Sequence, residues 1–274
     1  MYVPMKIILD TAKKGGYAVP AFMTWDEASF RAACEAGKEM RSPIISITPR
    51  AYFSDPQLFG LIMHEIAMEY DIPIASCLDH GQTYQDAITA IRAGFTSIMV
   101  DRSTLPLAEN IAQVKEIVKI AHAVGVTVEA ELGHVGLGSK PDSQDRFTIP
   151  AEAKRYVAET GVDCLAVSVG TAHGVYKGVP TLKFDLIDEI AKVVNIPLVL
   201  HGGSGTGDEN LAKISKTAIC KINIANDLMR AAYNEATTTD MTGNNVYELF
   251  NVLMAGYKKC AKHYIEVLGS KDKA

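Results

Sequence analysis

The chain has 274 residues, 48% hydrophobic and 22% charged, a composition that excludes a disordered or fibrous chain and can build a core without staples. With 27 Lys and Arg against 32 Asp and Glu, the net charge of −5 signals no basic groove for nucleic acid, so an anionic ligand would need local positive charge, a metal or helix N-termini. No run approaches the roughly 18 apolar residues of a membrane span, Met1–Phe22 lacks a secretory leader's apolar core and cleavage pattern, and the five cysteines form no CxxC. Reduced thiols, no membrane and a cytoplasmic location are therefore expected.

Short β-branched or apolar runs alternate with stretches of helical period. Tyr17–Phe22 precedes helix-like Asp26–Met40, which opens on an Asp suited to capping. Pro43–Thr48 precedes Asp55–Tyr70, where Asp-Pro supplies a cap and a proline at the first helical position. Ile74–Asp79 leads to Gln82–Ala93, and Ser97–Asp101 leads to Pro106–His122. Val126–Leu132 is followed by irregular Gly133–Thr148 and then Pro150–Thr160; Cys164–Val169 is followed by irregular Gly170–Pro180 and then Asp185–Val194. Pro197–His201 and Ile219–Ile224 complete the runs, and Asn226–Leu268 reads as two helices around Thr242-Gly243-Asn244-Asn245. Gly37, Gly94, Gly125 and Gly161 stand where helices are expected to end in a left-handed residue.

About eight strands alternating with helices predict an α/β protein, a (β/α)8 TIM barrel with extra C-terminal helices, as one domain over residues 1–274. A doubly wound open sheet is the alternative, but no GxGxxG follows an early strand. In a barrel both irregular stretches lie at the C-terminal rim, where barrels carry their chemistry.

Ionisable residues gather at the run ends: Asp79-His80, Asp101, Glu129 and Glu131, His173, His201, and Asn223. A barrel brings these ends to one face. His80, His173 and His201, each followed by Gly, would then converge, and three neutral imidazoles with an open position suit a catalytic Zn2+. Asp79 is placed to shuttle a proton at a metal-bound substrate, or else to orient a histidine. Glu131 is a candidate additional metal ligand; Glu129 faces the same side and could equally be a buried, hydrogen-bonded acid. Gly202-Gly203-Ser204-Gly205 and Asn223–Asn226 follow the last two strands, where barrels often bind phosphate through backbone N–H groups. A metal beside a phosphate site, with an acid at hand, suits enediolate chemistry: aldol cleavage, isomerisation or epimerisation of a sugar phosphate.

Several motifs resemble those of the class II, zinc-dependent ketose-bisphosphate aldolases, the fructose- and tagatose-bisphosphate aldolases. They are Tyr17–Phe22, Leu78–Gly81, Gly94–Asp101, Val128–Gly133, Gly170–Gly174, Leu200–Gly205 and Lys221–Ile224, and the resemblance spans about Tyr2 to Tyr257. It implies reversible cleavage of a ketose 1-phosphate or 1,6-bisphosphate to dihydroxyacetone phosphate and an aldehyde, through an enediolate at Zn2+. His80, His173 and His201 are implied as zinc ligands, Glu131 as a carboxylate that can visit the metal, and Asp79 as the acid/base at the aldehyde-derived oxygen. Gly174, Gly202, Gly203, Ser204, Asn223, Asn226 and Thr48 are implied contacts to the three-carbon phosphate. A monovalent cation, Na+ or K+, at Ala172–Gly174 and Gly202–Ser204 is implied as well, as is a homodimer or homotetramer.

The chain departs from the family pattern at Met23, usually Asn; at Arg50, usually Gly; and at Asp101-Arg102-Ser103-Thr104. Ala225 and Met229 stand where fructose-type members carry Asp and Arg. The loop at Gly136–Lys140 is shortened and lacks the acid expected to take a ketose proton, for which Asp142 or Asp145 are the candidate substitutes. Arg50 and Arg102 are candidate clamps for an anion on the second substrate half, or rim charges paired with Asp55 or Asp101. The lost loop acid keeps a metal-dependent epimerase or isomerase open as the second reading, and a non-catalytic sugar-phosphate-binding protein as the third.

Overall fold

Eight parallel strands close into a barrel in sequence order, each paired with its neighbours and β8 with β1. The computed structural model describes residues 1–50, 55–136 and 146–274. The strands are β1 (Val19–Met23), β2 (Ile44–Pro49), β3 (Ile74–Gly81), β4 (Ser97–Val100), β5 (Thr127–Leu132), β6 (Cys164–Val167), β7 (Leu198–Leu200) and β8 (Ile219–Ile224). Helix α1 (Met5–Gly15) precedes β1. Between strands lie α2 (Glu27–Met40), α3 (Pro56–Met68), α4 (Tyr84–Arg92), α5 (Leu107–Ala123), α6 (Pro150–Thr160), α7 (Phe184–Val193) and α8 (Asp208–Ile214). After β8 come α9 (Asn226–Thr238), a 3₁₀ turn (Gly243–Glu248) and α10 (Leu249–Val267). Among the described residues no helix is long and apolar enough to cross a membrane.

The pleat divides the core in two. Outward strand residues such as Phe22, Leu78, Ile98, Leu165 and Ile222 pack under the helices, while Ala21, Ile45, Ile47, Cys77, Met99, Ala166 and Val199 fill the barrel interior. Helix α1, absent from the sequence reading, closes the N-terminal mouth. Its buried Met5, Ile8, Leu9 and Ala12 recur at helical spacing and join the interior cluster. The Met5 N–H donates to Ser97 Oγ at 3.2 Å and the Lys6 N–H to Thr127 Oγ1 at 3.1 Å, at the starts of β4 and β5. With that end plugged, the cleft into the interior among the described residues lies at the C-terminal mouth.

The expected caps form. Asp26 accepts from the Ser29 N–H while Ser29 reaches back, and Asp55 accepts from the Gln57 and Leu58 N–H groups ahead of Pro56. Gly94, Gly125 and Gly161 adopt the left-handed conformation. Gly37 does not end its helix: α2 continues to Met40 and Arg41 takes the left-handed position. Gly37 is small because a Cβ there would come within 2.4 Å of Ile44 Cγ1, so it sets how closely α2 seats on β2. Helix α8, also missed, has seven residues and no side-chain cap, too short for a periodic signal. Asp26→Ala and Asp55→Ala should each lower unfolding free energy by about 1 kcal/mol. They act on separate helices, so the double variant should show the sum in urea midpoints.

Candidate active site

The C-terminal strand ends gather the ionisable residues. Neighbours on a strand face opposite ways, yet Asp79 and His80 both reach the mouth. His80 has φ 48° and the β3–β4 pairing shifts register between Leu78 and Gly81, so the backbone turns between the two side chains. A left-handed non-glycine residue costs energy that its surroundings must offset. His173 comes from the loop after β6, and His201 directly follows β7.

His80 Nε2 lies 3.2 Å from His173 Nε2 and 3.0 Å from His201 Nδ1. The other nitrogen of each ring meets an acceptor: His80 Nδ1 meets Asp101 Oδ2 at 2.8 Å, His173 Nδ1 the Val135 carbonyl at 3.0 Å, and His201 Nε2 meets Glu129 Oε1 at 2.8 Å. Those outer nitrogens face acceptors, which turns the three inner nitrogens toward one point, where neutral rings would offer their lone pairs to a cation. Glu131 adds a fourth donor: Oε1 accepts from the Val135 N–H, while buried Oε2 has no hydrogen-bond partner and lies 3.8 Å from His201 Nδ1. Three imidazole nitrogens and a carboxylate oxygen fit a divalent ion of zinc type. His80, Asp101 and Glu131 form an overlapping second set of donors.

The electrostatics favour positive charge at this point. Burial disfavours an imidazolium at His80, but Asp79, the Asp101 hydrogen bond and Glu131 outweigh it and raise its pKa to about 10. Burial, then the positive charge of His80 and His201, pushes His173 down to about 3. Burial and Asp101 push the Glu131 carboxyl up. Burial works against ionised Asp101, but His80 and the Ser103 hydrogen bonds more than compensate and hold it well below the usual carboxylate range. Glu129 behaves alike: burial opposes its charge, and Lys221 with His201 still bring it down to about 2.

Beside the cluster opens a cleft of about 260 Å³. Its polar side carries Asp79, His173, Gly174, Gly202, Ser204, Asn223 and Asn226. The rest of the lining, from β1, β2 and the start of α9, is apolar: Met23, Ile47, Ala225 and Met229. Asn223 Nδ2 donates to Asp79 Oδ1 at 3.4 Å, leaving its buried Oδ1 without a partner. Ser204 Oγ accepts from the Ala225 and Asp227 N–H groups and so ties down the start of α9, whose own N-cap residue, Ala225, has no side chain to do it. Gly202 has φ 69°, and a Cβ there would meet the Ala172 carbonyl oxygen at 2.1 Å. The Tyr176 hydroxyl holds that approach, accepting from the Ala172 N–H and donating to the Gly202 carbonyl, both at 2.8 Å.

Three expectations are corrected by this geometry. Thr48 does not line the cleft: Ile47 points inward, so the pleat turns Thr48 to the other face of β2, where it is buried against Thr24 Oγ1. Gly203 does not line it either; it lets the loop lie on β8, where a Cβ would meet Ile222 at 2.5 Å, and its N–H donates to the Asn223 carbonyl. Arg102 is no anion clamp. It is buried and donates to the Gly81 and Asp101 carbonyls and to Gln113 Oε1 at 3.1, 2.7 and 2.8 Å, fastening β3 to β4 behind the metal-facing residues. Arg50 is exposed at the end of β2 and outside the cleft lining. Leu137–Asp145, including Asp142 and Asp145, lie outside the described residues.

The sequence reading gave no role to Lys221 or Tyr176. A lysine in an apolar strand run, and a tyrosine in a glycine-rich rim loop, were the available signals. His134 donates its backbone N–H to the Arg146 carbonyl and pairs through Nδ1 with Ser103 Oγ, which itself donates to Asp101. Arg102→Ala should cost about 2–4 kcal/mol of stability by stranding buried carbonyls. Its KM for any phosphorylated substrate should stay within about threefold, as denaturation and steady-state kinetics would read.

Residues 3–273 match the family model described as fructose-bisphosphate aldolase class-II. The YdjI aldolase of Escherichia coli K12 superposes with TM-score 0.91 at 30% identity, covering 100% of both chains. The fructose-bisphosphate aldolase Fba of Campylobacter jejuni shares the fold with TM-score 0.84 at 21% identity, over 100% of this chain and 97% of that one.

Proposed function

The chain belongs to the class II fructose-bisphosphate aldolase family and is an enzyme of the aldolase type; on that premise we propose that it reversibly cleaves a phosphorylated ketose, a ketose 1-phosphate or 1,6-bisphosphate, to dihydroxyacetone phosphate and an aldehyde. The observation that carries the reading is the meeting of three inward-facing imidazole nitrogens beside Asp79 and the orphaned Asn223 Oδ1. His80, His173 and His201 would hold one Zn2+, with Glu131 in reach of it. Bound there, the ion supplies a Lewis acid at the ketone oxygen.

The remaining work falls to the chain. Asn223 Oδ1 accepts from a hydroxyl of the three-carbon half. Gly174, Gly202, Ser204 and Asn226 receive the phosphate, which the positive end of the α9 dipole favours electrostatically. Asp79 takes the proton of the substrate hydroxyl whose carbon becomes the aldehyde as the adjacent C–C bond breaks; the three-carbon half then takes a proton at carbon from solvent, and both transfers reverse in condensation. Asn223 Nδ2 holds that carboxylate toward the cleft. A monovalent cation at Ala172–Gly174 and Gly202–Ser204 would have to share the Gly202 carbonyl with Tyr176. Exposed Tyr233, Tyr247 and Phe250 support a homodimer or homotetramer, and light scattering should return a mass above one chain.

The deciding experiment incubates zinc-loaded protein with a panel of ketose mono- and bisphosphates and reads products by NMR and mass spectrometry. A three-carbon phosphate plus an aldehyde is expected; an isomer of unchanged mass would make the protein an epimerase or isomerase instead. His80→Ala, His173→Ala and His201→Ala should each lose zinc and activity together. Asp79→Asn should keep zinc and lose about 10²- to 10⁴-fold in kcat; zinc loss in that variant would make Asp79 structural.

A further inference from the structure

We propose that Lys221 is a positioning residue for the metal centre: acting through Glu129, it fixes the tautomer of His201 so that Nδ1 always offers its lone pair to the ion. This rests on the reading of the three-histidine cluster as a metal site. Lys221 comes from β8, Glu129 from β5, and His201 follows β7; all three are fully buried. Lys221 Nζ lies 2.7 Å from Glu129 Oε2, and the other oxygen, Oε1, lies 2.8 Å from His201 Nε2.

The logic of this chain runs one way. An ammonium has only donors, and an ionised carboxylate only acceptors. Lys221 therefore confines Glu129 to accepting, Glu129 confines His201 Nε2 to donating, and the ring proton cannot sit on Nδ1. The other two rings are constrained without such help. His173 Nδ1 meets a backbone carbonyl, which can only accept. His80 Nδ1 meets Asp101, whose other oxygen already receives the Ser103 N–H and hydroxyl. Among the described residues Glu129 has only one cationic partner besides His201, and that is Lys221.

A purely structural role explains the ion pair poorly. The inward residues around it are Cys77, Cys164, Ala166 and Val199, and in such surroundings an apolar pair is commonly as stable as a buried ion pair. What an apolar pair lacks is a direction of hydrogen bonding. Partners that orient a ligating histidine typically change metal affinity about 10- to 100-fold when removed.

The test uses the full-length protein, metal-free and with Zn2+ alone. In the metal-free wild type, long-range ¹H–¹⁵N NMR of the imidazoles should show His201 as the Nε2–H tautomer; an Nδ1–H tautomer overturns the proposal. Lys221→Met should give a mixed or Nδ1–H tautomer and bind zinc about 10- to 100-fold more weakly in competition with a chelator. Lys221→Met combined with Glu129→Gln, whose amide carbonyl can still accept from Nε2, should regain about tenfold of that loss. Wild-type zinc affinity in folded Lys221→Met, or a double variant no better than the single one, overturns the proposal. If Lys221→Met does not fold, the wild-type tautomer and the double variant decide, and a double variant more than about 100-fold weaker than wild type overturns it. A wild-type protein that shows the expected tautomer yet binds no zinc sinks the aldolase reading and leaves the relay standing.

Discussion

His80 Nε2 stands 3.2 and 3.0 Å from the inward nitrogens of His173 and His201, and the rest of the site is arranged around making that possible. The arrangement calls for a shared cation, a proton or a metal ion. It persists because each ring is gripped at its far nitrogen by an acceptor on a different part of the barrel: Asp101 at the end of β4, the Val135 carbonyl after β5, and Glu129 within β5. The carboxylates supply both the grip and the field. They favour a positive charge at the centre strongly enough to hold His80 well above an ordinary imidazole, while His173, beside its positive neighbours, is driven the other way. A divalent ion satisfies both the geometry and the charge.

A closed parallel sheet is what brings these groups together. No two of the three histidines come from the same strand end, and none approaches another in sequence. The pleat then decides which side chains see the interior. On β5 the alternation presents Glu129 and Glu131 inward and Ala130 outward. On β3 simple alternation would separate Asp79 from His80, and the backbone abandons it through a left-handed His80. Such strain at a site is tolerable because Asp101, Arg102 and the neighbouring strands hold it from several directions. Helix α1 contributes from a distance: by filling the far mouth it leaves one open end to the barrel.

The cleft beside the metal-type centre has two chemically different sides. Backbone and polar side chains at the ends of β6, β7 and β8 suit a phosphorylated three-carbon unit. Met23, Ile47, Ala225 and Met229 form the opposite wall, and three of them are positions where the chain departs from its family's usual residues. Those three changes make that part of the lining apolar, while His80, His173, His201 and Glu131 remain together as potential ligands. Of the two arginines that distinguish this chain, Arg102 works inside the scaffold instead.

The sequence alone determined the eight strands, most helices and their caps, and the convergence of Asp79, His80, His173 and His201, because period, capping residues and strand-end placement are local properties that fold class turns into positions. It could not place residues whose role depends on a partner far along the chain. Thr48 and Ile47 are adjacent, and only strand register decides which one faces the cleft. Gly37 looks like a helix stop until Ile44 is packed against it. Arg102 looks like a free cation until the Gly81 and Asp101 carbonyls close over it. Glu129, Lys221 and His201 read separately as a buried acid, an odd lysine and a ligand; only the closed barrel makes them one directed line of hydrogen bonds, because they come from β5, β8 and the end of β7 and the line exists only once all three face the same interior.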